Sequence, residues 1–85
     1  MLKNKNAKIR QAAVYSIRII NNPNSVPYLL EGLDDIDNEV KYHCVMTLAK
    51  LFGKGGEYGP SHERFSGNEE KTVSLWKDWI KQQQN

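Results

Sequence analysis

The stretch DDIDNEVKYHCVMTLAKLFG, residues 34–53, has the pattern of a capped amphipathic helix. Asp35 or Asp37 can cap its N-terminus, and Gly53 stands where a left-handed residue closes a helix. Between these signals, the spacing predicts a helix over about Asn38–Phe52. Its inward stripe is predicted to be Val40, Cys44, Thr47, Leu48 and Leu51.

The same pattern occurs once more, earlier in the chain. Lys5–Ile20 aligns with Ile36–Leu51 and pairs Ile9 with Val40, 31 residues apart. Internal similarity with a period of about 20–50 residues is typical of stacked helix repeats. A first helix is therefore predicted over Lys5–Ile20. Its inward stripe is predicted to be Ile9, Ala13, Ile17 and Ile20.

A short second helix is predicted between these two. Asn22 suits an N-cap and Pro23 suits the first helical position, and the helix should end near Asp34. Glu31 and Gly32 are expected on its outer side. Its inward stripe is Val26, Leu29, Leu30 and Leu33.

Residues 53–68 interrupt the helical pattern, since five of these 16 residues are glycine. Such a long connection is either mobile or held by packing of Tyr58 and Phe65 onto the helices. A last helix is predicted over Glu69–Gln83. Its inward stripe is Val73, Trp76 and Ile80.

The length, charge and cysteine count of the chain exclude several classes of protein. The chain has 85 residues, a net charge of +2 and one cysteine. It therefore forms at most one domain and no intrachain disulfide, and its charge does not favour nucleic-acid binding. No apolar run is long enough to span a bilayer, so no membrane association is predicted. We expect a cytoplasmic protein.

The run from Asn22 to Leu33, NPNSVPYLLEGL, is followed by Asp35 and by Glu39-Val40-Lys41, and Ile9-Arg10 repeats the Val40-Lys41 step. In these positions the chain resembles the HEAT-like repeat family, in the short-repeat subgroup also seen in phycobilisome-lyase-type proteins. Lys41 departs from the arginine usual there. Lysine is a point charge, which puts in doubt a bidentate Asp–Arg ladder at that step.

The resemblance implies an all-α, antiparallel helix-repeat fold, a fragment of an α-solenoid with about four helices. Residues 1–53 would form one and a half repeats, residues 54–68 a Gly-rich loop, and residues 69–85 a C-terminal capping helix. The chain would be the C-terminal piece of a longer solenoid. Ile9 and Val14 are then expected to leave apolar surface exposed or to pair with another copy.

For function, the resemblance implies a non-catalytic protein–protein interaction scaffold. In such stacks the second helix of each repeat lines the concave side, and Tyr, Arg and Met are enriched at interfaces. The expected partner is another protein or further repeats of the same chain. Self-association through the uncapped first helix is also expected as a possibility. Tyr15 and Tyr42 should lie side by side, roughly 10 Å apart. The predicted partner surface is Gln11, Tyr15, Arg18, Tyr42 and Met46.

No residue set has the spacing of a catalytic, cofactor or metal site, so the chain is not predicted to be an enzyme. His62-Glu63 is a single pair, whereas a di-iron site needs several ligands. Asp34, Asp35 and Asp37 lack the glycine and distal glutamate of a calcium loop.

Two alternative functions remain open. A nucleic-acid-binding module, as in HEAT-like alkylpurine glycosylases, would use Arg10, Arg18, Lys41 and Lys50 as a basic stripe. An accessory subunit of a bilin-lyase-type enzyme would hold a chromophore or a partner.

Overall fold

The computed structural model describes residues 5–20 and 22–83. Within these residues the chain forms five α-helices and two short 3-10 turns, and it has no strand. The fold is therefore all-α, as predicted. The helices are α1 (Ala7–Ile20), α2 (Val26–Gly32), α3 (Asn38–Phe52), α4 (His62–Phe65) and α5 (Glu69–Gln83), and the 3-10 turns are Pro23–Ser25 and Gly56–Tyr58.

Helix α3 is the central element, because α1, α2 and α5 all pack against it. Val40, Cys44, Thr47 and Leu48 are fully buried, as the apolar stripe predicted. Val45 is fully buried as well. A helix that is apolar on more than one side belongs in the middle of a structure.

The ends of α3 follow the local signals in the sequence. The Asp37 carboxylate accepts a hydrogen bond from the Val40 N–H at 3.1 Å, which makes Asp37 the N-cap. Gly53 adopts φ 63° and ψ 34°, and its N–H donates to the Ala49 carbonyl. Because L side chains rarely adopt this left-handed geometry, a glycine there stops the helix.

The first two helices begin later than predicted. Helix α1 starts at Ala7 instead of Lys5, after the Asn6 side chain accepts the Lys8 N–H at 2.9 Å. The turn before α2 is a 3-10 turn, and α2 itself begins at Val26. Pro27 favours this, since it has no N–H to bond the carbonyl four residues back.

The inward face of α1 differs from the predicted stripe. Ala13 is buried and Ile17 packs against the core, but Ile9 and Ile20 remain 44% and 70% exposed. Val14 was expected to contribute exposed surface and is instead completely buried. Helix α1 is thus rotated toward Val14, and the side that carries Ile9 and Ile20 faces outward.

The contact between α2 and α3 depends on Gly32. This residue is buried, so its expected outer position was wrong. A Cβ atom at Gly32 would lie 2.3 Å from the Cys44 sulfur, which is far inside van der Waals contact.

Burial, helped by the charge of Asp35, raises the pKa of the Cys44 thiol to about 12. Cys44 is therefore a protonated core group, and buried thiols of this kind are unreactive.

The glycine-rich connection packs against the helices. Of the two predicted alternatives, a mobile connection and one held by packing, the structure has the second. Phe65 in α4 is buried among the core residues. The Trp76 ring is also fully buried, and its Nε1–H donates to the Tyr58 carbonyl at 2.6 Å. Tyr58 packs edge-on against the same ring, with 5.2 Å between the ring centroids. Phe65 and Tyr58 therefore attach the connection to the helical core.

The close approach at Gly32 makes a testable prediction for stability. Gly32→Ala should lower the free energy of unfolding by about 1–2 kcal/mol, because the added methyl group displaces a buried sulfur. Alanine at an open helical position would instead stabilise by up to roughly 1 kcal/mol. Urea unfolding monitored by circular dichroism measures the difference.

The matched control is the double variant Gly32→Ala with Cys44→Ala, which removes the obstructing sulfur. The double variant should lose less free energy of unfolding than the sum of the losses in the two single variants. Additive losses would contradict the contact.

Candidate interaction surfaces

A buried ion pair connects α1 to the chain that enters α3. Arg10 Nε lies 2.7 Å from Asp35 Oδ2, and Arg10 Nη2 lies 3.1 Å from Asp35 Oδ1. The two side chains are only 10% and 9% exposed. This bidentate geometry is specific to arginine, whose planar guanidinium matches a carboxylate. Arg10 is therefore enclosed in the structure, whereas the nucleic-acid alternative requires it at the surface.

Hydrogen bonds extend from this pair to the N-terminus of α3. The Asp37 N–H donates to Asp35 Oδ1 at 2.8 Å. The Asp37 carboxylate, besides capping α3, accepts from Gln11 Nε2 at 2.8 Å. Gln11, a residue of the predicted partner surface, is thus half-buried and bonded between the helices. Arg10 and Gln11, which are consecutive in α1, therefore fix the rotation of α1 against α3.

Tyr15 and Tyr42 are joined through His43. The Tyr15 and His43 ring centroids are 6.0 Å apart, and those of Tyr42 and His43 are 5.8 Å apart, both edge-on. The Tyr42 ring continues the row to His62 and to Phe65, at 4.7 and 5.5 Å. Tyr42 is half-buried beside α4, whereas Tyr15 remains 52% exposed.

The protonation state of His43 follows from its surroundings. Burial is the largest influence and lowers the pKa of His43, and the positive charge of Arg18 lowers it further. Glu39 raises the pKa of His43 more weakly, His62 lowers it, and Asp37 raises it least. His43 is therefore neutral at pH 7, and its Nδ1 can accept a hydrogen bond from Arg18 Nη1 at 3.3 Å. This contact positions the Arg18 guanidinium.

Arg18 and Met46 lie together further along the helices, where they line an open groove. The groove lies beside the C-terminal half of α3 and the glycine-rich connection. We call it the basic groove. Its lining residues are Arg18, Met46, Ala49, Lys50, Gly53, Lys54, Gly55 and Gly59.

Helix α1 carries apolar side chains on the side that faces away from α3. Ile19 is 64% exposed, and Ile9 and Ile20 are exposed as well. The Ser16 hydroxyl donates to the Ala12 carbonyl at 3.0 Å, so it makes its hydrogen bond within the helix. This side, at helical spacing, is called the outer face of α1. Its members are Ile9, Ala12, Ser16, Ile19 and Ile20.

The polar residues considered as metal ligands have partners within the protein. His62 Nε2 lies 2.5 Å from a Glu39 carboxylate oxygen, and Asp34 pairs with Lys77 of α5. Asp37 serves as a cap. Across residues 5–20 and 22–83, no three His, Cys, Asp or Glu side chains are grouped as a metal ion would require. In the same residues, no helix has both the length and the apolar character to cross a bilayer.

One feature of the basic groove was not predicted from the sequence. The Lys54 ammonium lies 4.6 Å from the centroid of the Tyr58 ring and 4.9 Å from that of Trp79. Cation–π contacts of this kind hold a lysine in place. In the sequence, Lys54 follows Lys50 by four residues, which indicates only that the two lysines can be close to each other. That spacing does not predict a contact between Lys54 and Trp79, which is distant along the chain.

Comparisons of the sequence with protein-family models and with characterised proteins, and of the structure with solved structures, gave no match.

The Arg10–Asp35 pair makes a prediction for stability. Arg10→Ala should lower the free energy of unfolding by about 3 kcal/mol, because it leaves a buried carboxylate without its cation. Lys8→Ala, on the exposed side of the same helix, should change it by less than roughly 0.5 kcal/mol. Combining Arg10→Ala with Asp35→Asn should cost less than the sum of the single losses. Strictly additive losses in urea unfolding would contradict a coupled pair.

The lowered pKa of His43 makes a prediction for pH dependence. The unfolded chain binds a proton at this position at higher pH than the folded chain does. The free energy of unfolding should therefore fall as the pH drops below about 6.5, toward the folded-state pKa. His43→Gln removes this component and should flatten the dependence, measured by urea unfolding between pH 8 and pH 5. Equal slopes for wild type and His43→Gln would contradict the assignment.

Proposed function

We propose that this chain is a non-catalytic protein–protein interaction module of the HEAT-like helix-repeat type, which binds a helix on the outer face of α1. The observation that carries the proposal is the different burial of equivalent residues in α1 and α3. Val40 is fully buried in α3, whereas Ile9, its equivalent 31 residues earlier, is 44% exposed.

The difference follows from the position of α2. A Cβ atom at Gly32 of α2 would lie 3.7 Å from a methyl group of Val40 and closer still to Cys44. Helix α2 therefore covers the side of α3 that carries these two residues. The equivalent side of α1 carries Ala13, which is already buried, and Ile9, which is not. No described helix lies over Ile9 in the way that α2 lies over Val40, so α1 has room for a helix similar to α2.

The chemistry of the outer face suits such a helix. Single exposed apolar residues are common on protein surfaces, but a contiguous apolar side on a helix indicates a contact. Ala12 and Ser16 are small, so two helix axes can approach to about 8 Å. The Ser16 hydroxyl is already bonded to the Ala12 carbonyl and adds little desolvation cost.

The strength of the contact can be bounded. Complete burial of an isoleucine side chain contributes roughly 1.5–3 kcal/mol, and association costs roughly 4–15 kcal/mol of lost freedom. The three isoleucines of this face are already partly buried, so the contribution that remains does not by itself offset the cost of association. We expect the occupant to be an amphipathic helix that adds apolar contacts of its own, from a partner protein or from another copy of the chain.

Sedimentation velocity of the purified protein tests the proposal. A second copy can supply the covering helix, so the protein should self-associate as its concentration rises. Ile20→Lys should lower the association constant at least about tenfold, because it removes roughly 1.5 kcal/mol or more of apolar contact.

Ile36→Lys is the matched control, since Ile36 is 91% exposed in the connection between α2 and α3. This variant should associate like the wild type. A wild-type protein that stays monomeric at millimolar concentration would contradict self-association through the outer face. Equal effects of both substitutions would contradict the assignment of the contact to this face.

A further inference from the structure

The basic groove has a strongly one-sided charge. Of its described lining residues, Arg18, Lys50 and Lys54 are positively charged and none is acidic. The C-terminus of α3 opposes this with a partial negative charge of about half a unit. Three full positive charges outweigh that half charge, so the groove attracts anions.

Two of the three cations are held in place before any ligand arrives. Arg18 donates to the neutral His43 ring, and Lys54 lies over two aromatic rings. A side chain that is already ordered loses less conformational entropy on binding, which favours affinity. Lys50 is exposed in the last turn of α3 and can adjust to the ligand.

The rest of the groove is apolar or has no side chain. Met46 and Ala49 line the groove together with the cations. Methionine adapts its shape to varied ligands. Gly59 is packed so closely that an added Cβ atom would lie 3.1 Å from the Ala49 methyl group. Gly53 and Gly55 have open space where a Cβ would stand, so a ligand backbone can approach them. The groove is open to solvent and has a volume of about 540 Å³.

We propose that the basic groove binds an acidic peptide segment of a partner protein, with Asp or Glu carboxylates on Arg18, Lys50 and Lys54 and an apolar side chain on Met46. This inference is independent of the outer face of α1, which is a separate surface with no charged member.

An acidic peptide fits better than a nucleic acid. Nucleic-acid affinity comes mainly from the number of phosphates neutralised, and three cations neutralise few. The chain carries a net charge of only +2, and Arg10 is buried against Asp35. The groove also places its cations around an apolar surface, which matches a peptide side chain better than a sugar–phosphate backbone.

Fluorescence anisotropy tests the proposal with a labelled peptide of six Asp and Glu residues around a central Leu. The peptide should bind the intact chain, and its amide counterpart of Asn and Gln should not. The double variant Lys50→Gln with Lys54→Gln should weaken binding about tenfold or more, since each exposed ion pair contributes up to roughly a factor of five. The control Lys8→Gln with Lys71→Gln removes the same charge at exposed positions outside the groove and should change binding less than twofold.

A second measurement does not depend on the folding of the variants. In the wild-type protein, labelled with ¹⁵N, the acidic peptide should shift the amide resonances of Gly53, Gly55 and Gly59. The resonance of Gly67, in the turn before α5, should stay in place.

Three results would overturn the proposal. The first is no binding of the acidic peptide at millimolar concentration. The second is equal weakening in the two double variants, or equal shifts at Gly67, which would indicate nonspecific attraction. The third is tighter binding of a single-stranded oligonucleotide with the same number of charges, which would assign the groove to nucleic acid.

Discussion

The bidentate contact between Arg10 and Asp35 decides how the chain is arranged. Buried ion pairs add little net stability, because desolvation offsets most of the Coulomb attraction. Their effect is geometric, since the planar guanidinium and the carboxylate fit in one orientation. Asp35 also accepts the Asp37 N–H, and Asp37 caps α3 while holding Gln11. The rotation of α1 and the start of α3 are therefore fixed by one hydrogen-bonded unit.

Both candidate surfaces follow from that rotation. With Arg10 turned toward Asp35, Val14 enters the core and Ile9 and Ile20 remain outside, which produces the outer face of α1. The same rotation carries Arg18 to His43 and to the edge of the basic groove. One surface is apolar and uncharged, and the other is positively charged around a methionine.

The core that supports these surfaces is thin, as expected for a small domain. It centres on α3, whose apolar residues contact α1, α2 and α5. Gly32 allows α2 to reach Cys44, and Trp76 closes the opposite side while donating to the Tyr58 carbonyl. That last contact also holds the glycine-rich connection in the position from which Lys54 reaches the ring of Trp79. The basic groove thus depends on an aromatic contact that lies outside it.

The sequence by itself determined the helical fold, the bounds of α3 and α5, and Gly53 as the end of α3, and it limited the N-cap of α3 to Asp35 or Asp37. These features depend on groups a few residues apart, so local spacing contains enough information. The tertiary structure alone decided the rotation of α1, the inward position of Gly32 and the stacking of Lys54 on Trp79. In α1 the predicted stripe and the buried side share Ala13 and Ile17, and they differ by less than a quarter turn. Helical periodicity is too coarse to choose between two such faces, and the choice was made by Asp35, 25 residues from Arg10 along the chain.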